Sequence, residues 1–309
     1  MSKFDIKNFK GVIPAVLTAF DKNEEIDEVG MRQLVSYLIE KGVNGLYLTG
    51  STGEGFTMSS EERKRVVEIV MDENKGRVPI VVHVGAIGTK LSVDLAKHAE
   101  EVGADGISSV PPFYWKFNED QIVKYYTEIA ESCSIPMIVY NVPLVGLLGM
   151  SAIKRLAKVE NVKGIKYTAL SHYEITQIKD ELGADFLVYS GADEMAMSGL
   201  LAGADGIIGS FYNIMPELFI NIKNAVDNKD MDEAKRLQRQ AVEIIMYSLQ
   251  LPSFYAGMKS VLRWRGINAG YCRSPFQNLT EQEELDFKEG YKKLKKTYNI
   301  TGIDFLDEL

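Results

Sequence analysis

Lys166 stands where a lysine can do covalent chemistry. The run 162–166, VKGIK, has the β-branched and small side chains of a short buried strand, and Lys166 ends it just before Tyr167 and Thr168. A compact ammonium held partly out of water loses proton affinity and can attack a ketone as a neutral amine, which is Schiff-base chemistry. The same lysine could instead lay its stem along the strand end and keep its charge in water. Tyr140 closes the preceding apolar run, 136–140, just before Asn141 and Pro143. A phenol facing Lys166 from a neighbouring strand could shuttle protons, or it could be a packing residue with a wet hydroxyl.

GSTGEG (50–55) is neither a Walker A loop, since no Gly-Lys-Ser/Thr follows, nor a dinucleotide fingerprint, since its glycine spacing is wrong. Its glycines let the backbone approach a ligand, so consecutive amides around Ser51 and Thr52 could cradle a carboxylate; an ordinary glycine turn is the other reading. Asp193 and Glu194 follow the run 186–190 and could grip a polyol through hydroxyl hydrogen bonds, or simply complement a helix dipole as first-turn acids. His83, His98 and His172 show no metal-ligand spacing, and Cys133 and Cys272 form no CxxC pair and read as packing residues. No metal and no dissociable cofactor are expected.

The elements that must carry these residues repeat along the chain. Predicted strands at 11–20, 45–48, 79–84, 106–110, 136–140, 162–166, 186–190 and 206–210 are followed by predicted helices at 29–40, 61–71, 91–102, 120–132, 152–159, 173–182, 194–202 and 216–225. Gly42, Gly103, Gly183 and Gly203 stand between helix and strand as helix stops, with the Asn or Asp that follows expected to bond locally in the turn. Ser59 and Glu62 have capping-box spacing. Apolar strands alternating with helices require a parallel sheet with right-handed crossovers, and eight such units close most simply as a (β/α)8 TIM barrel. A doubly wound sheet competes less well, because no GxGxxG follows the first strand. Residues 1–226 are therefore assigned to the barrel. Residues 227–309, with predicted helices at 231–249, 255–264 and 281–298, are assigned to a helical extension packed on it. In such a barrel the loops after the strands form the site, here TGSTGEG, PPFYW, YNVP, KYT, SGADE and GSFYN.

Composition narrows the function class. With 309 residues, 46% hydrophobic and 25% charged, the chain can bury a full core. Its net charge of -8 without a basic cluster argues against a nucleic-acid partner. No apolar run approaches a membrane span and the N-terminal residues lack a signal-peptide core, so a cytoplasmic protein of small-molecule metabolism is expected.

Taken in order, GSTGE, PFYW, YNVP, GIKYT, GADE and GSFYN resemble the N-acetylneuraminate lyase and dihydrodipicolinate synthase family, over residues 8 to about 280. The resemblance implies a pyruvate-dependent class I aldolase on a (β/α)8 barrel with C-terminal helices, usually a homotetramer. It makes Lys166 the Schiff-base lysine and Tyr140 the proton-transferring tyrosine. Ser51 and Thr52 match the loop that binds the pyruvate carboxylate, with Ser51 also linked to the catalytic phenol. Tyr114 matches the tyrosine that reaches into a neighbouring subunit's site. Thr168, Gly191, Asp193, Glu194 and Ser210 match positions that bind the sugar chain in the lyases. The family's synthases resemble one another in an arginine two residues after the proline of YNxP; here that position is Val145, which cannot hold a carboxylate bidentately. Within the family the chain thus resembles the sialic acid lyases, which implies reversible cleavage of N-acetylneuraminate to N-acetylmannosamine and pyruvate. A 2-keto-3-deoxy sugar acid aldolase would keep the same lysine and tyrosine, whereas a non-catalytic pyruvate or sugar-acid-binding regulator would not need them. Trp115, where a second tyrosine is common, and Phe211, where GSTYN has threonine, depart from the pattern and bear on sugar preference.

Overall fold

The computed structural model describes residues 4–309. Eight parallel strands form the barrel wall: β1 (Gly11–Pro14), β2 (Leu46–Leu48), β3 (Ile80–His83), β4 (Gly106–Ser109), β5 (Met137–Asn141), β6 (Val162–Tyr167), β7 (Leu187–Ser190) and β8 (Gly206–Gly209). Between and after them run α1 (Glu28–Glu40), α2 (Ser60–Asn74), α3 (Thr89–Glu101), α4 (Glu119–Ala130), α5 (Met150–Leu156), α6 (Tyr173–Leu182), α7 (Ala196–Leu201) and α8 (Pro216–Asp227). Apart from Lys163 in β6, every strand residue is buried, as a wall covered on both faces requires.

Sequential neighbours pair from β2 to β8, and β8 returns to β1 with Gly206 opposite Gly11 and Gly209 opposite Pro14. That return pairing rules out the doubly wound sheet. The β1–β2 seam is thinner, held by a bridge between Ala15 and Tyr47 and by Val16 N–H donating to the Tyr47 carbonyl at 2.9 Å. The first strand is shorter than the predicted 11–20. Ala15 N–H still donates to the Gly209 carbonyl at 2.9 Å, but beyond Val16 the backbone turns to side-chain partners: Leu17 N–H donates to Asn213 Oδ1 at 3.2 Å and Ala19 N–H reaches Met31 Sδ at 3.1 Å.

The four predicted glycine stops have positive φ, from +81° at Gly183 to +100° at Gly203. At three of these stops the polar residue that follows reaches beyond its own turn to a strand amide, and at the fourth Asp185 pairs with Lys7 at 2.9 Å. Asn44 Oδ1 accepts Val12 N–H at 2.8 Å, Asp105 Oδ2 accepts Ile80 N–H at 2.9 Å, and Asp205 Oδ2 accepts Val188 N–H at 2.9 Å. Each therefore ties the incoming turn to the strand before it in sequence and satisfies a buried amide there. The capping box at Ser59 and Glu62 forms as predicted, and a second one at Asn118 and Gln121 opens α4.

Inside the barrel, Ile13, Tyr47, Val81, Ile138, Tyr140, Leu187, Tyr189 and Ile208 pack on one another, and Phe9 closes the bottom edge-on to Tyr189. Outside it, a larger core joins the strands' outer faces to the helices. The C-terminal segment forms α9 (Met231–Ser248), α10 (Phe254–Trp264), α11 (Glu281–Tyr298) and the unanticipated α12 (Asp304–Asp307). Leu237, Ile244, Val261, Phe287, Phe305 and Leu306 of these helices belong to the same outer core as the barrel. Among the described residues, no helix is long and apolar enough to cross a membrane.

Candidate active site at the mouth of the barrel

Lys166 is the next-to-last residue of β6, in register with Tyr140 on β5 and Tyr189 on β7, both of the barrel interior. Its side chain consequently points inward and up, and only 4% of the residue is exposed. Nζ lies 4.2 Å from the Tyr140 ring centroid and 4.8 Å from that of Tyr47. No carboxylate pairs with it among the described residues, in contrast to the other buried lysine, Lys259. An amine walled by aromatic faces and free of an anionic partner has its lone pair available once it is neutral.

A cavity of about 350 Å³ opens above it, lined by Ser51, Thr52, Tyr140, Lys166, Thr168, Gly191, Glu194 and Ser210 among others. Eight of the sequence-predicted site residues are thus brought together. The Ser51–Thr52 turn is held open toward the cavity by its own base: Glu54 N–H donates to the Ser51 carbonyl and Gly55 N–H to the Gly50 carbonyl, both at 3.0 Å. The amides of Ser51, Thr52 and Gly53 have no acceptor among the described residues. Free amides in a tight glycine turn are what an anion cradle needs. Thr52 Oγ1 and Ser210 Oγ share a 2.7 Å hydrogen bond, which joins the loops after β2 and β8. Ser51 and Tyr140 line the same cavity, although no hydrogen bond joins their side chains among the described residues.

Behind the tyrosines, His83 is buried, and burial, then the charges of Arg63 and Lys166, push its pKa well below the ordinary value. The neutral ring packs edge-on to Tyr140 at 6.2 Å, and its Nε2 accepts Val110 N–H at 3.2 Å. It works as a rigid wall; among the described residues no cluster of metal-ligating side chains exists.

At the far end, Thr168 Oγ1 is shielded from solvent with no hydrogen-bond partner, a donor and acceptor left for a ligand. Gly191 makes that packing feasible, since a Cβ there would stand 1.9 Å from Thr168 Oγ1 and 3.0 Å from Lys166 Cε. Glu194 faces the cavity from the first turn of a short 3-10 helix, Asp193–Met195, that runs directly into α7. Gln238 of α9 fixes this turn by donating to the carbonyls of Asp193 at 3.3 Å and Glu194 at 3.0 Å.

Two sequence-predicted residues lie elsewhere. Asp193 does not line the cavity: its carboxyl is buried against Gly209, where Oδ2 accepts Phe211 N–H at 2.8 Å. Burial raises its pKa to about 7, against the opposing pull of the Phe211 amide. Its position supports the Ser210 turn from behind and gives it no open face toward a polyol in this structure. Tyr114 is outside this chain's cavity, 83% exposed, with a left-handed φ of +82° and its ring edge-on to Trp115.

Several lining residues were not legible in the sequence. Leu144 and Leu170 join Val142 of the YNVP loop in giving the cavity an apolar side, and Tyr255 reaches it from α10 in the C-terminal segment. Alternation in GLYL does mark Tyr47 as one face of a strand, but its place beneath Lys166 depends on barrel curvature.

Comparison with known proteins agrees with this geometry. A sequence model of the dihydrodipicolinate synthetase family matches residues 8–294. The N-acetylneuraminate lyase of Escherichia coli is 39% identical over 279 residues, covering 89% of this chain and 93% of that protein. Among solved structures, the wild-type sialic acid aldolase of Ruminococcus gnavus superposes with a TM-score of 0.90 at 33% identity, over 94% of this chain and 99% of that one. CdNal of Clostridium difficile, solved in complex with mannosamine, gives 0.89 at 33% identity over the same shares of the two chains. A match that runs through the strand bearing Lys166, the Ser51–Thr52 turn and α10 alike leaves one conclusion: the chain belongs to the dihydrodipicolinate synthetase family.

Proposed function

We propose that this protein is a carbon–carbon lyase that reversibly cleaves N-acetylneuraminate to N-acetylmannosamine and pyruvate through a Schiff base on Lys166. The observation that carries the reading is the Lys166–Tyr140 pair, an unpaired amine 4.2 Å above a phenol ring at the floor of a cavity with free backbone amides. The Ser51 and Thr52 amides hold the substrate carboxylate beside the amine. Neutral Lys166 Nζ adds to the C2 ketone of the open-chain sugar, and the carbinolamine expels water as Tyr140 Oη gives up its proton, leaving an iminium. The resulting phenolate takes the proton of the C4 hydroxyl, the C3–C4 electron pair moves into the C2–C3 bond, and the iminium nitrogen receives the displaced pair. N-acetylmannosamine leaves as an aldehyde; protonation of the enamine at C3 and attack by water at C2 release pyruvate and free Lys166. Thr168, Gly191, Glu194 and Ser210 receive the sugar chain, while Asp193 acts from behind through the Ser210 turn.

The cavity lining supports a sugar over a second carboxylate substrate. Lys166 is its one cation among the described lining residues, and Val145 stands where the family's synthases resemble one another in an arginine. Tyr114, exposed and held away from its own cavity, is suited to complete a neighbour's site, so we assign a homotetramer as the working form. The two cysteines are free and buried, which suits a cytoplasmic protein.

Borohydride reduction in the presence of pyruvate should place one reduced pyruvyl group on Lys166 and abolish turnover; Lys166→Ala should lose both labelling and activity. Labelling at another residue, or none, would overturn the mechanism. Cleavage of short 2-keto-3-deoxy acids far better than N-acetylneuraminate would overturn the sugar assignment alone.

A further inference from the structure

Glu54, the acid of GSTGEG, takes no part in the steps above and does not face the cavity, yet both of its oxygens are engaged deep in the protein. Oε1 lies 2.6 Å from Lys259 Nζ, with both side chains 0% exposed, and Oε2 accepts Arg273 N–H at 2.8 Å. Lys259 donates a second bond to the Tyr271 carbonyl at 2.5 Å, and its Nζ rests 5.0 Å from the Phe20 ring. Every one of these groups except Phe20 comes from the C-terminal segment, 205 residues from Glu54 in the case of Lys259.

A fully buried ion pair adds little stability over a well-packed apolar pair, because both charges must leave water. Its distinctive property is direction: a charged, hydrogen-bonded group has one satisfactory place, where an aliphatic group has many. Glu54 is also in the left-handed region, with φ of 54° and ψ of 30°, which a glutamate adopts only when its surroundings hold it there. The turn it anchors is short and closed, with Gly55 N–H on the Gly50 carbonyl, so movement at Glu54 is passed directly to the free amides of Ser51, Thr52 and Gly53. On the other side, Lys259 lies one helical turn after Tyr255 on α10, and Tyr255 lines the same cavity.

We infer that Glu54 and Lys259 are a positioning pair that sets the carboxylate-binding amides relative to Lys166, with α10 as the ruler between them. The inference rests on the reading of the Ser51 and Thr52 amides as the seat of the keto acid's carboxylate. A substrate ketone without a carboxylate does not use that seat, which separates positioning from general damage to the fold.

The test is reductive trapping of Lys166 in the full-length protein with pyruvate and, separately, with acetone. It compares the wild type with Glu54→Gln, Lys259→Met and the double variant, which strands no charge and keeps the test available if a single variant does not fold. The half-saturating pyruvate concentration should rise about tenfold or more in each folded variant, the scale of a lost charge-assisted hydrogen bond, while acetone trapping stays within about twofold. An unchanged pyruvate-to-acetone ratio in the folded variants, or a parallel fall of both ketones, would refute the positioning role. A wild type that pyruvate fails to label at Lys166 would refute the aldolase reading itself, and the inference with it.

Discussion

Gly191→Ala is a one-carbon test of how tightly the site is built. An alanine Cβ at 191 would stand 1.9 Å from Thr168 Oγ1, 3.0 Å from Thr168 Cβ and 3.0 Å from Lys166 Cε. Ordinary contact needs about 3.5 Å, so the threonine oxygen must give way by roughly 1.5 Å. The strands cannot separate to make room. Gly191 N–H is bonded to the Tyr167 carbonyl at 2.9 Å, and Thr168 N–H to the Asn141 carbonyl at 2.9 Å. The displacement therefore falls on the side chains of Thr168 and Lys166. Overpacking of this kind costs about 1–3 kcal/mol of stability, and a misplacement of about 1 Å at a reacting group lowers turnover on the order of 10²-fold. We expect folded Gly191→Ala protein with kcat for pyruvate release reduced by about 10²-fold. The cause is separable. Thr168→Ala alone should lower activity, but added to Gly191→Ala it should raise it, because it removes the 1.9 Å conflict. A Gly191→Ala kcat within about threefold of wild type would refute the packing argument, as would a Thr168→Ala effect of the same sign and size in both backgrounds.

Tyr140→Phe should lower kcat at least ~10²-fold and slow pyruvate trapping at Lys166 without abolishing it, since solvent can still protonate the departing hydroxyl; a kcat near wild type would remove Tyr140 from the proton path. Mixing inactive Tyr114→Phe and Tyr140→Phe subunits should restore part of the activity, and no restoration after demonstrated subunit exchange would count against a shared site. Asp193 gives a pH signature. Burial raises its folded pKa to about 7, so the folded state keeps a proton that the unfolded chain, at about 3.9, has already lost. Its contribution is fully present below pH ~4 and fades as pH rises to about 7, at about 1.4 kcal/mol per unit and about 4 kcal/mol in all. The stability advantage of wild type over Asp193→Asn in urea should consequently shrink from pH 5 to pH 8; a gap that does not change with pH would refute the buried neutral acid.

The periodic alternation of the chain was enough to reveal eight strand and helix units and the barrel, because backbone hydrogen bonding imposes periods that side-chain hydrophobicity follows locally. It was also enough to set Lys166 and Tyr140 side by side at two strand ends, since a strand end is a local feature and parallel neighbours in sequence are neighbours in the wall; their catalytic roles came only with the family resemblance. The glycines of GSTGEG marked a tight turn whose amides could stay free, but they did not separate a ligand cradle from an ordinary glycine turn. What the sequence could not carry was anything set by barrel closure and helix docking. Asn44, Asp105 and Asp205 look like local turn residues, but each side chain bonds an amide of the preceding strand, 17 to 32 residues away. Asp193 and Glu194 are adjacent and alike in sequence, and only the tight turn between β7 and α7 sends one into the cavity and the other behind Gly209. Tyr255 and Lys259 belong to a segment with no strand pattern at all, and Lys259 meets Glu54 across 205 residues. A local pattern reports which face of an element is apolar; which distant polar group meets it is decided only when the whole chain has packed.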